Sequence, residues 1–142
     1  MKFKKHRDVN DPVLATEGSA GYDLFLPNDH EEIVLHPKQT YKILLGIAVE
    51  IPKFHVGLLL PRSSTGCSGL SLQNTCGVID SDFRDPMQIR ARNWHETQDV
   101  VIKPGERFAQ LVVVPYLNTK VEIVDNLSET DRLGGFGSSG SN

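Results

Sequence analysis

The sequence predicts an all-β domain of the sandwich or barrel kind, with a jelly roll as the form that fits best. Three observations carry the prediction. Residues 41–51 place Tyr41, Ile43, Leu45, Ile47, Val49 and Ile51 at every second position, the period of a strand with one buried face. Short β-rich runs recur along the chain, separated by proline, glycine and asparagine turns. Helical periodicity is nearly absent.

The elements follow in order. Lys2, Lys4, Lys5, His6 and Arg7 alternate with Phe3 and run into Asp8, which reads as a solvated first strand. Gly18-Ser-Ala-Gly-Tyr-Asp-Leu24 opens the first clear strand with small residues and one acid, Asp23. Turns at Pro27-Asn-Asp and Pro37-Lys lead to the strand over 41–51, in which Gly46 suits a bulge or bend. After Pro52-Lys come a strand over 56–60 and one short turn of helix over 63–68, stopped by Gly69. Gln73-Asn-Thr-Cys76 suits the turn of a hairpin that carries Val78, Ile79 and then Asp80 to a strand end. Further strands are expected over 87–94, 100–102, 108–114 and 121–124, with turns at Pro104-Gly-Glu and Pro115. Residues 111–114 are apolar on both faces, so one face fills the core and the other needs cover, as from another subunit. Past Asp125 the β pattern stops. The chain therefore divides into a β domain at 1–125 and an extended C-terminal arm at 126–142.

A chain of 142 residues is long enough to bury roughly two-thirds of its unfolded surface as one domain. Its net charge of -3 and lack of a basic stripe argue against a nucleic-acid polymer as partner. No apolar run has the length of a membrane span, and no signal-peptide segment begins the chain, so a soluble, cytoplasmic protein is expected. Cys67 and Cys76 form no CxxC pair, and the five histidines are scattered singly, without zinc-ligand spacing.

Chemistry is concentrated between strands. Pro61-Arg-Ser-Ser-Thr-Gly66 sets a guanidinium beside three hydroxyls, which suits either a polyphosphate or an ordinary polar turn. Asp80 ends an apolar pair, where an ionised carboxylate can face a cleft and take a proton from water. Asp82 and Asp85 suit a divalent metal or solvated turns, and their spacing lacks the glycine and glutamate of an EF-hand. Gln110 interrupts an apolar strand, and its amide needs a partner, either a ligand or a structural hydrogen bond. The tail Arg132-Leu-Gly-Gly-Phe-Gly-Ser-Ser-Gly140 cannot pack a core. It is either linker or a flap in which Phe136 stacks on a ring while Arg132, Ser138 and Ser139 grip an anion.

The five segments stand in an order that resembles the trimeric dUTPases. The matching stretches are Ala20-Gly-Tyr-Asp-Leu24, Pro61-Arg-Ser-Ser64, residues 77–84, residues 105–113 and residues 132–140. The resemblance implies an antiparallel jelly-roll-like β-clip fold, a homotrimer with active sites at subunit interfaces, and cleavage of dUTP to dUMP and pyrophosphate with Mg²⁺. It implies catalytic roles for Asp80, which activates the water, and for Gln110, which supports the water or the α-phosphate. Arg62, Ser63 and Ser64 line the phosphates. Asn74, Gly77, Val78 and Ile79 form the uracil slot, and Phe83 lies against the deoxyribose. Arg132, Phe136, Gly137, Ser138 and Ser139 close the site from the arm, and Asp23 touches the Mg²⁺ through water. The chain departs from the family pattern in four places. Phe83 stands where tyrosine is frequent, Asp85 replaces a glycine, Ser139 replaces a threonine, and Arg132 and Phe136 are four apart rather than five.

Overall fold

Alternating burial along each strand organises the molecule, because every strand has one face to hide. The computed structural model describes residues 1–130. The described strands are β1 (Lys2–Lys5), β2 (Val13–Leu14), β3 (Gly21–Phe25), β4 (Ile33–Leu35), β5 (Thr40–Leu44), β6 (Ile47–Glu50) and β7 (His55–Pro61). A single helical turn, α1 (Ser63–Cys67), precedes β8 (Leu70–Leu72), β9 (Gly77–Ile79), β10 (Gln88–Asn93), β11 (Val100–Ile102) and β12 (Arg107–Pro115). The architecture is all-β and jelly-roll-like, as the alternation predicts.

Five strands form the main sheet in the order β2-β3-β12-β7-β9, and three form a second sheet in the order β5-β10-β8. Two-stranded ladders, β1-β6 and β11-β4, complete the described sheets. Pairing is antiparallel throughout. Leu24, Leu59 and Leu111 of the main sheet meet Ile43, Leu72, Ile89 and Ala91 of the second sheet in one core cluster. Among the described residues no helix is long and apolar enough to cross a membrane.

The expected long strand over 41–51 is two strands. β5 pairs with β10, whereas β6 pairs with β1. The break falls at Gly46, whose φ of +65° favours glycine and whose added Cβ would lie 3.0 Å from Arg7 Cβ. The odd positions from Ile43 onward still point inward, since Ile43, Leu45, Ile47, Val49 and Ile51 are all buried, whereas Tyr41 is 41% exposed. The segment 73–76 also differs from a simple hairpin turn. It crosses between sheets, because β8 pairs with β10 and β9 pairs with β7. The strand expected over 121–124 is absent; residues 116–130 contain no strand, and their apolar side chains lie in solvent. Among the described residues no strand pairs with them, and propensity without a partner does not make a strand.

Candidate active site

β12 runs through the middle of the main sheet, between β3 and β7, and this position assembles the first group of polar residues. Its register sets Gln110 opposite both Asp23 on β3 and Leu60 on β7. Opposed residues in an antiparallel pair share a face. Gln110 and Asp23 therefore project together, on the side away from Ala109 and Leu111 in the core. Gly21 makes the space, since a Cβ there would sit 2.4 Å from Gln110 Oε1. The Gln110 amide is fixed by donating from Nε2 to the Pro61 carbonyl at 3.1 Å.

Asp23 is 5% exposed and holds two arginines. Arg62 Nε donates to Oδ1 at 2.7 Å, and Arg107 Nη1 donates to Oδ2 at 3.2 Å. Arg62 Nη1 also reaches the Arg107 carbonyl at 3.3 Å. The register slips between Arg107 and Ala109, so the strand carries a bulge around Phe108. The slip turns Phe108 into the core and Arg107 toward Asp23. Sequence reasoning assigned Arg107 no role. The signal was present as two adjacent inward apolar residues, Phe108 and Ala109, which strict alternation forbids.

Asp23, Arg62, Ser63 and Gln110 line one cavity of about 270 Å³ together with Gly21 and Val112. Ser64 is not in it. It lines a neighbouring cavity of about 330 Å³ that also touches Arg62 and Arg107. The first cavity thus presents guanidinium, hydroxyl and amide groups around one space, a donor set for a phosphate chain.

A second cavity, about 250 Å³, is lined by Asn74, Gly77, Val78, Ile79, Asp80 and Phe83, with Met87 and Gln88 beside them. β9 is the edge strand of the main sheet, and an edge leaves backbone N–H and C=O groups unpaired, able to read a planar base. Ile79 anchors β9 in the core while Val78 faces out at 64% exposure. A Cβ on Gly77 would lie 3.1 Å from Leu59 Cβ, so glycine allows the close strand approach. Asn74 Nδ2 donates to the Cys76 carbonyl at 3.2 Å, which orients the amide.

The loop after β9 is rigidly tied. Phe83 N donates to the Asp80 carbonyl at 3.1 Å, and Arg84 Nη1 donates to the Ser81 and Phe83 carbonyls at 2.7 and 2.9 Å. Phe83 packs against the core, and Asp80 stays exposed at the rim. Among the described residues no three histidine, cysteine, aspartate or glutamate side chains are grouped to hold a metal. Arg132, Phe136, Gly137, Ser138 and Ser139 lie outside the described residues.

These cavities carry the segments that resemble one enzyme family, and a family-level comparison decides the matter. Residues 7–140 match the dUTPase family model. The chain belongs to the dUTPase family. The deoxyuridine 5'-triphosphate nucleotidohydrolase of Escherichia phage T5 is 42% identical over 136 residues, covering 92% of this chain and 91% of the relative. That of Sodalis glossinidius is 41% identical, covering 91% and 86%. The dUTPase of Staphylococcus bacteriophage 80alpha, solved with dUpNHpp, superposes with a TM-score of 0.87 at 29% identity, covering 99% of this chain and 98% of the other. As a dUTPase the protein is an enzyme, a hydrolase of nucleotide metabolism that converts dUTP to dUMP.

Proposed function

We propose that the Arg62–Gln110 cavity and the Asp80 cavity are two halves of a single dUTP site, brought together by different subunits of a homotrimer. The observation that carries this reading is the division itself: the phosphate-binding donors and the water-activating acid line cavities that share no residue. The exposed chain after β12 supports it. Leu117, Val121, Ile123 and Leu127 are 86–91% exposed, an apolar series that calls for cover from another subunit. The arm at 126–142 then closes the site, with Phe136 on the uracil ring and Arg132, Gly137, Ser138 and Ser139 at the γ-phosphate.

Chemistry follows from the groups present. Water attacks the α-phosphorus as its proton passes to Asp80, the α–β bridge breaks, and dUMP and pyrophosphate leave. General-base assistance of this type contributes about 10²–10⁴-fold. Arg62, Ser63 and Ser64 bind the phosphate oxygens and stabilise charge on the departing side. Gln110 keeps one amide hydrogen and Oε1 beyond its bond to Pro61, enough to orient the water or an α-phosphate oxygen.

Mg²⁺ fits this site as an ion carried mainly by phosphate oxygens and water, since the described residues provide no cage for it. When bound, it neutralises charge on the triphosphate. Both oxygens of Asp23 already accept guanidinium hydrogens, so Asp23 chiefly holds Arg62 and Arg107, with its remaining lone pairs free for a water on the ion.

Selection against cytosine rests on the donor–acceptor pattern of the β9 edge and Asn74, where the reversed pattern leaves groups unpaired. Phe83, held against the core, excludes a ribose 2′-OH. Free Cys67 and Cys76 suit a reducing cytoplasm.

The test is pyrophosphate release across dUTP, dTTP, dCTP and UTP, with and without Mg²⁺. Rapid release from dUTP alone, dependent on Mg²⁺, is expected. Ammonia release from dCTP instead would reassign the chain to deamination. Asp80→Asn should bind dUpNHpp as the parent does while turnover falls by about 10²–10⁴-fold; full turnover would remove Asp80 as the base.

A further inference from the structure

The outer face of the β5-β10-β8 sheet carries a cationic cluster that the catalytic reading does not use. Lys42 on β5 stands directly opposite Arg90 on β10. Side chains in that relation have Cβ atoms about 5 Å apart, and like charges there repel. Arg92, two residues further along β10, lies on the same face. The ion pairs of the described residues involve Lys2, Lys5, Arg7, His36, Lys38, Arg62 and Arg107, and none involves Lys42, Arg90 or Arg92.

The surroundings of the cluster are specific. Arg92 Nε is buried with no hydrogen-bond partner, while its guanidinium lies 4.3 Å from the centre of the Trp94 ring. Stacking holds the Arg92 plane in place but leaves a desolvated donor unanswered. Beside it, Lys42, Arg90, Asn74 and Gln88 line a cavity of about 360 Å³. No carboxylate lines that cavity, although the chain carries a net charge of -3. Asn74 and Gln88 also line the Asp80 cavity, so the two spaces adjoin.

We propose that the Lys42–Arg90 cavity is a second anion site, built for a multivalent oxyanion of the phosphate class. A planar arginine fork can take two oxygens at once, the lysine supplies a point charge opposite it, and the Gln88 amide supplies a neutral donor. A bound anion offsets the Lys42–Arg90 repulsion that the bare sheet face carries. Lys42 and Arg90 have no part in the proposed dUTP site, although Asn74 and Gln88 form the wall between the two cavities.

Calorimetric titration of the full chain at constant ionic strength tests the proposal, with pyrophosphate, orthophosphate, dUMP and chloride as separate titrants. Saturating dUpNHpp first removes the nucleotide site from the measurement. Pyrophosphate binding is expected to persist in that state and to exceed orthophosphate, with chloride silent. Retention by dUMP in preference to pyrophosphate would instead identify a nucleotide phosphate as the natural source. Arg90→Gln and Lys42→Gln should each weaken pyrophosphate binding by about tenfold, the scale of one charged hydrogen bond, with turnover unchanged. Without anion, both variants should melt at or above the parent temperature, since substitution removes repulsion. Disappearance of pyrophosphate binding once dUpNHpp is bound, or equal binding by parent and both variants, would overturn the second site. Failure of dUpNHpp to bind would count against the proposed catalytic site alone, and the variant comparison would still decide this one.

Discussion

Replacing Asp23 with asparagine tests the frame on which the phosphate-side cavity is built. The carboxylate side chain is 6% exposed and pairs with Arg62, 25% exposed, and with Arg107, 46% exposed. Asparagine keeps one acceptor oxygen and turns the other into an amide donor aimed at a guanidinium. Breaking a buried pair from one side costs about 3–5 kcal/mol, and the lower end applies to Arg62, which keeps a quarter of its side chain in water. The Arg107 pair is half in solvent and adds at most about 1 kcal/mol. The expected loss of stability is therefore about 3–4 kcal/mol. Denaturant unfolding at one fixed protein concentration measures it, because the stability of an oligomer depends on concentration. Arg62 also loses its anchor, and misplacement of a binding group by about 1 Å costs about 10²-fold in rate. In conditions where the variant remains folded, kcat/KM for dUTP should fall by about that factor. An unchanged unfolding midpoint together with unchanged kcat/KM would refute the claim that Asp23 positions the two arginines.

Other outcomes follow from the same geometry. Gly21→Ala places a Cβ 2.4 Å from Gln110 Oε1. The Gln110 amide must then leave the Pro61 carbonyl, with a stability loss of about 1–3 kcal/mol and a clear drop in kcat, both measurable on the purified variant; parent-like values would show that the amide has room to move. Truncation after Thr130 should leave a folded oligomer by size-exclusion chromatography with severely reduced turnover, and full activity would remove the arm from the site. Chelation of Mg²⁺ should suppress pyrophosphate release and restoring the ion should recover it; metal-independent turnover would contradict a Mg²⁺-carried triphosphate.

Local chemistry made much of this protein legible from its residues alone. Period-two alternation located the inward positions Ile43, Leu45, Ile47, Val49 and Ile51 correctly even though the strand itself is broken at Gly46. Gly69, with φ of +77°, ends the short helical turn where the sequence placed it. The residue types of the five segments left alternatives open one by one, and it was their order along the chain that pointed to the dUTPase family. One local reading failed for a clear reason: the valine and isoleucine of 121–124 have strand propensity but no neighbouring strand in the described chain to complete a ladder.

Tertiary structure decided what no local pattern encodes. Asp23 meets Arg62 across 39 residues and Arg107 across 84, a meeting set by the central place of β12 and its slipped register. The slip moves Arg107 to the site face and Phe108 to the core, reversing what alternation assigns. Antiparallel pairing of β9 with β7 sets Ile79 opposite Gly57 and Gly77 opposite Leu59, so Asp80 lies at the end of β7 remote from Arg62. Sequence by itself determined most inward faces and the family, and supplied the candidate reacting groups, because these depend on residue type and on the spacing and order of short segments. Their distribution over two separate cavities was decided only in three dimensions, because strand order and register arise from pairing between distant segments.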